Sequence, residues 1–139
     1  MKKASSLLTY NEWTILRILW DAEHSLSRPE IMEKLPDTKN WQPTAISVLI
    51  TNMIEKGFLK TDGVTRCGRG YGRTYAPTMT QFDFIANYSL ELTVNVPKRR
   101  RVLGLVSSLI SQEEMNAEEI DELEQIIEKH RIKLSKRTE

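Results

Sequence analysis

The chain has 139 residues, of which 40% are hydrophobic and 28% are charged, and its formal net charge is +1. This balance predicts one ordinary globular domain, or a small domain with an oligomerisation element, and suggests neither a disordered nor a fibrous class. The apolar runs are too short to cross a bilayer and the first residues lack a signal-peptide core, so we expect a cytoplasmic protein that binds no membrane.

Two capping boxes predict the first two helices. Thr9 followed by Glu12 precedes an apolar stripe and predicts a helix over about residues 10 to 22. Ser27 followed by Glu30 repeats the signal, and this second helix ends before Pro36 because proline disfavours helical backbone in the residue ahead of it. A third helix follows a polar loop over residues 36–40, which predicts a helix-turn-helix arrangement.

The third helix is the candidate DNA-reading element. Pro43 suits a first helical turn and Gly57 suits the left-handed residue that ends a helix, which bounds it at about residues 43 to 56. One face is apolar and should meet the core: Ile46, Leu49, Ile50 and Met53. The opposite face is small, mostly polar and free of acids, as a major-groove surface requires: Thr44, Ala45, Ser47, Val48, Thr51 and Asn52.

Two flanking residues are further candidates for DNA contact. Arg28 lies at the start of the second helix and Trp41 just precedes the third. An arginine at this position can meet phosphate, although surface solubility explains it as well. Packing in a core or an interface is the commoner role of a tryptophan such as Trp41, because duplex DNA exposes few base faces.

The segment after the third helix is rich in glycine and arginine. Residues 58–62 and 73–77 have β-propensity and flank a glycine-rich stretch over 63–72. We interpret them as a β-hairpin with a long, flexible, basic tip, whose Arg66, Arg69 and Arg73 reach a phosphate backbone or a minor groove. A nucleotide-binding loop is disfavoured because the glycine spacing matches neither the dinucleotide nor the P-loop motif. We therefore expect residues 1–78 to form a winged helix-turn-helix DNA-binding domain.

Three more amphipathic helices are predicted beyond this wing, over about residues 80 to 95, from about 98, and after a cap at Asn116. Because their apolar faces are too narrow to close a core alone, we expect residues 79–139 to form a helical dimerisation domain. The residues expected at the dimer interface are Phe84, Tyr88, Leu92, Val102, Leu105, Val106, Leu109, Ile120, Leu123 and Ile127. A helical cap folded back on the first domain is the alternative. The fold class is thus mainly α with a small β-hairpin wing.

Charge is distributed unevenly along the chain. Residues 1–75 hold eleven Lys and Arg against eight Asp and Glu, a balance of +3, whereas residues 111–128 hold eight acids and no base. The first half is therefore the better match for DNA phosphates. A lone cysteine excludes a cysteine zinc cluster, and neither paired carboxylates nor a nucleophile with its base can be nominated. We expect no enzyme, no metal site and no cofactor.

Three separated stretches of the chain resemble one protein family. Residues 8–20 (LTYNEWTILRILW), 41–59 (WQPTAISVLITNMIEKGFL) and 73–77 (RTYAP) are similar, in order and spacing, to the penicillinase-repressor family of BlaI, MecI and CopY type. The resemblance extends to about residue 130 and includes residues 119–123 (EIDEL), which are similar to the family's last dimerisation helix. It implies a winged-helix domain, a helical dimerisation domain, and repression by a homodimer on a palindromic operator of double-stranded DNA.

The resemblance implies two possible regulatory mechanisms, and the sequence lacks the residues that each of them requires. Copper-responsive members bind metal through a C-terminal cysteine cluster, but no Cys-x-Cys pair is present here. In β-lactam-responsive members a sensor-linked protease cuts an Asn-Phe bond in the fifth helix, where this chain has Ser108-Leu109. A regulatory protease is thus a partner that the family suggests and this sequence does not support.

Two non-enzymatic functions stay open at this point. In the first, a homodimer represses transcription by placing residues 43–56 of each chain in a major groove while the basic wings hold the backbone. In the alternative, the winged helix is a protein-interaction module and the helical tail docks on a partner.

Overall fold

The computed structural model describes residues 8–36 and 41–138. Helices and strands follow one another as α1 (Tyr10–Ala22), β1 (Leu26–Ser27), α2 (Arg28–Glu33), α3 (Pro43–Glu55), β2 (Leu59–Cys67), β3 (Gly70–Pro77), α4 (Gln81–Leu92), α5 (Lys98–Glu113) and α6 (Ala117–Thr138). The predicted mainly α fold with a small antiparallel sheet is confirmed. Most of the predicted polar loop, residues 37–40, lies outside the described residues.

Both predicted capping boxes are present. The Thr9 hydroxyl accepts the Glu12 N–H at 3.2 Å and Glu12 Oε1 accepts the Thr9 N–H at 3.0 Å. Ser27 and Glu30 repeat this exchange at the start of α2. The Ser27 N–H holds the pKa of the Glu30 carboxyl below its ordinary value, so this cap stabilises the fold above the ordinary carboxyl pKa. Its contribution is lost as the pH falls through the lowered pKa of the folded state.

The core of the first unit lies between α1, α2, α3 and the sheet. The apolar face predicted for α3 is confirmed, with Ile46, Ile50 and Met53 buried and Leu49 partly buried against them. Burial of this face fixes which side of α3 is left for solvent or a ligand. The buried apolar residues are Ile15, Leu16, Ile18, Leu19, Leu26, Ile31, Ile46, Ile50, Met53, Phe58, Leu59 and Phe84.

The sheet has three antiparallel strands in the order β1-β3-β2. Strand β1 was not predicted, because two residues between helices carry no alternation that a sequence pattern can detect. The hairpin also differs from the prediction of a long, flexible tip. Strands β2 and β3 pair out to Cys67 and Gly70, so only Gly68 and Arg69 form the turn. Gly68 has a φ of +59°, which suits the first position of a two-residue hairpin turn.

A bulge marks the point where the hairpin leaves the sheet. Thr61 pairs with Tyr75 and Gly63 pairs with Thr74, so Asp62 is the extra residue. Gly63 has a φ of +142°, a conformation that side chains rarely adopt. The Asp62 carboxylate accepts a hydrogen bond from the hydroxyl of Ser25, which precedes β1. These contacts set the direction of the outer hairpin, residues 63–74, which we call the wing.

Helix α4 packs on α1 through an aromatic cluster. Phe84 is only 4% exposed, and its ring lies 5.5 to 6.0 Å from those of Trp13, Trp20, Phe58 and Tyr88. The structure places the Phe84 ring in the core of the first unit with the half-buried Tyr88 ring beside it, and their assignment to the dimer interface stays a prediction. By packing, the chain divides into residues 1–92 and 93–139, which places α4 with the first unit. The predicted functional boundary after residue 78 stays a prediction.

The second unit consists of α5 and α6. Asn116 caps α6 as predicted, because its Oδ1 accepts the Glu119 N–H at 2.8 Å and Glu119 returns the bond to the Asn116 N–H. None of the described residues of either helix is buried. The remaining predicted dimer residues are exposed or half-buried: Leu92, Val102, Leu105, Val106, Leu109, Ile120, Leu123 and Ile127. Over the described ranges no helix is long and apolar enough to cross a membrane.

Candidate nucleic-acid interface

The outward face of α3 has the character that the sequence predicted. Thr44, Ala45, Val48, Thr51 and Asn52 are exposed, and Val48, the largest apolar side chain among them, is 59% exposed. The helix carries no acid before its last residue. Its 13 residues make it about 20 Å long, and its side chains are short enough to let it approach base edges.

Ser47 was predicted to belong to the same reading face, but it is half-buried and hydrogen-bonded to another side chain. Arg28 Nη1 donates a hydrogen bond to Ser47 Oγ at 2.7 Å, which joins the start of α2 to the middle of α3. The two residues were both predicted as DNA contacts, and the structure brings them together. No sequence pattern indicated that they would bond to each other.

The wing presents its three predicted arginines to solvent. Arg66 pairs with Tyr71 across the hairpin, Arg69 lies in the turn, and Arg73 pairs with Val64. Because directly opposed residues share a side of the hairpin, Arg66 and Arg73 lie beside two exposed large side chains. Tyr71 is 74% exposed, a surface feature that no sequence pattern indicated.

An ion pair between a buried carboxylate and a half-buried lysine anchors the far end of α3. Lys56, which caps α3, lies 2.9 Å from both carboxylate oxygens of Glu12 at the start of α1. The Glu12 residue is 2% exposed and also accepts the Thr9 N–H. Gly57 then turns the chain with a φ of +88°, as predicted for the end of this helix. The reading face is thus held by the core on one side and by this pair at its C-terminal end.

Trp41 lies at the edge of the interface. It is half-buried and packs against the hydrophobic core rather than standing free on the surface. Trp41 is therefore placed as a packing residue in the structure. Among the residues that the structure describes, no group of three His, Cys, Asp or Glu side chains is placed to hold a metal ion.

The order α1-β1-α2-α3-β2-β3, with a hairpin after the third helix, defines the first unit as a winged helix-turn-helix domain. The domain presents an exposed helix face beside a basic wing, which is the arrangement of a winged-helix regulator that binds DNA.

Comparison with known proteins identifies the family. The model of the family described as "Penicillinase repressor" matches residues 8–129, so the chain belongs to the penicillinase repressor family of transcriptional regulators. The penicillinase repressor of Bacillus licheniformis is 26% identical over 120 residues, which cover 86% of this chain and 88% of that one. An uncharacterized 16.5 kDa protein of Latilactobacillus sakei is 27% identical over 127 residues, covering 91% and 82% of the two chains. A solved MepR mutant from a multidrug-resistant S. aureus isolate has 16% identity and a TM-score of 0.48, covering 96% of this chain and 84% of its own.

Proposed function

We propose that this protein is a repressor that binds a palindromic DNA operator as a homodimer. The observation that most strongly supports this proposal is the exposed, acid-free face of α3 beside a wing that bears three exposed arginines. In this proposal Val48 and Asn52 contact bases in a major groove, because an amide pairs with adenine and an apolar side chain packs on a thymine methyl. The wing contributes contacts with the sugar–phosphate backbone, which fix the position of α3 without reading sequence.

The second unit supports the dimeric part of the proposal. Its two helices bury no residue among those described, yet α6 carries Ile120, Leu123 and Ile127 at the spacing of three and four residues that coiled helices use. Such a stripe is stable in water when a second copy covers it. Two-fold pairing repeats the reading helix, so a palindromic site matches the symmetry of the protein.

Substitutions on α3 and on the wing are expected to act differently. Asn52→Ala should change the preference at one base position by about 1 to 3 kcal/mol, because it removes a base contact. Arg69→Ala should weaken binding to every sequence alike and lower the salt slope by about 1 per chain, because it removes a phosphate contact. Affinities for single-base variants of the operator, measured over a range of salt, separate the two effects.

Arg17→Ala is the matched control for the wing substitution, since Arg17 is also exposed but lies on α1. It should leave both base preference and salt slope unchanged. The assignment of roles is contradicted if Arg69→Ala alters base preference while the salt slope stays that of the wild type.

A further inference from the structure

An open cleft separates the reading helix from the wing. It has a volume of about 360 Å³ and is closed on the third side by the start of α2. Polar side chains from all three elements line it, among them Arg28, Ser47, Thr51, Tyr71 and Arg73. Two arginines and no carboxylate line the cleft among the described residues. Its chemistry therefore suits an anion.

The wing side of the cleft is built by β3. Tyr71, Arg73 and Tyr75 are alternate residues of this strand, so their side chains lie on one side of the hairpin. Tyr75 packs against the core and Tyr71 is exposed, so this row runs from the base of the cleft out to its rim. Arg73 lies between Tyr71 and Tyr75 in this row and is exposed.

The α2 side of the cleft carries an oriented arginine. Arg28 uses one N–H of Nη1 to bind Ser47 Oγ at 2.7 Å. A guanidinium has five N–H donors in a fixed plane, so this bond sets its orientation and leaves other donors available. Phosphate and carboxylate oxygens are the acceptors that such a planar fork binds in a bidentate way.

The position of the cleft identifies which anion it receives. When a helix enters a major groove and a neighbouring hairpin approaches the adjacent minor groove, one strand of the sugar–phosphate backbone passes between them. Resting on the proposed function, we infer that this cleft seats a backbone phosphate of the operator, bound by Arg28 and Arg73. Ser47 is then a positioning residue that orients Arg28, and it does not read a base.

A double-mutant cycle tests the role of Ser47. The probes are a duplex selected by the wild-type protein and an unrelated duplex of equal length. Arg28→Ala should weaken binding to both on the order of tenfold and reduce the salt slope. Ser47→Ala should weaken both by a smaller factor with unchanged base preference. Because Ser47 acts through Arg28, the double variant should bind like Arg28→Ala alone.

Asn52→Ala is the control on the same helix, since Asn52 is exposed, lies five residues beyond Ser47 and does not line the cleft, and its effect should multiply with that of Arg28→Ala. The inference is overturned if Ser47→Ala shifts preference at a base position and its effect multiplies with that of Arg28→Ala. Failure of the wild-type protein to bind any duplex would refute the proposed function instead, so the two failures are distinguishable.

Discussion

Ile127→Glu is expected to convert the protein into a monomer. Ile127 is 48% exposed in the single chain, so an ionised side chain there leaves the fold of one copy intact. In the proposed dimer the same position is covered by the partner, and an unpaired buried charge costs about 3 kcal/mol or more. The dimer dissociation constant should therefore rise about a hundredfold or more. Sedimentation equilibrium over a concentration series measures this change directly.

Gln125→Glu is the matched control for this substitution. It adds the same side chain to the same helix, but two residues along α6 correspond to about half a turn, so the new charge faces away from the stripe. This variant should dimerise like the wild type. Equal dimerisation of Ile127→Glu and the wild type would contradict the proposed interface, and a monomeric wild type would favour the helical cap.

Lys56→Met is expected to destabilise the first unit by about 3 kcal/mol. The substitution keeps most of the side-chain volume and removes the ammonium that lies 2.9 Å from both oxygens of Glu12. The Glu12 side chain is 3% exposed, so its carboxylate would be left buried without a counter-charge. Urea unfolding followed by tryptophan fluorescence gives the change in the free energy of unfolding, since Trp13 and Trp20 lie in the same core.

Lys60→Met serves as the control, because Lys60 is exposed on β2 and has no ion pair among the described residues. It should change the free energy of unfolding by less than about 0.5 kcal/mol. Combining Lys56→Met with Glu12→Gln should recover part of the loss, since no buried charge then stays unpaired. A loss in Lys56→Met no larger than in Lys60→Met would show that the buried pair does not stabilise α3.

Local signals predicted most of the helical fold, because they depend on residues close together in sequence. The capping pairs at Thr9 and Ser27 fixed the starts of α1 and α2, and Gly57 marked the end of α3. The apolar periodicity of α3 also predicted its buried face. One boundary differed, since α4 ends at Leu92 and not near Asn95, with residues 93–95 in a turn.

Features that depend on contacts between distant residues were not predictable in this way. Strand β1 exists only because Leu26 and Ser27 meet Tyr75 and Thr74, almost fifty residues later. The glycines after Thr65 suggested a flexible tip, whereas pairing of β2 with β3 orders them up to a two-residue turn. In a paired strand, glycine can mark a place where another group approaches the backbone closely, and it does not always indicate flexibility.

The candidate site was predictable in its parts but not in its connections. The sequence gives the exposed face of α3 and the wing arginines, since periodicity and charge indicate both. The bond from Arg28 to Ser47 spans nineteen residues and depends on how α2 crosses α3. The packing of Phe84 on α1 was not predictable, because an aromatic stripe on an amphipathic helix does not indicate which neighbour covers it.

Selection from a randomised duplex library measures whether the protein binds a specific DNA sequence as a dimer. We expect the wild-type protein to enrich an inverted repeat whose half-site centres lie about one or two helical turns apart, with two chains bound to each duplex. Enrichment should weaken as salt rises, because phosphate contacts contribute to the affinity. A library that shows no enriched sequence at any salt concentration would contradict binding to a specific operator and favour a winged helix that binds protein partners.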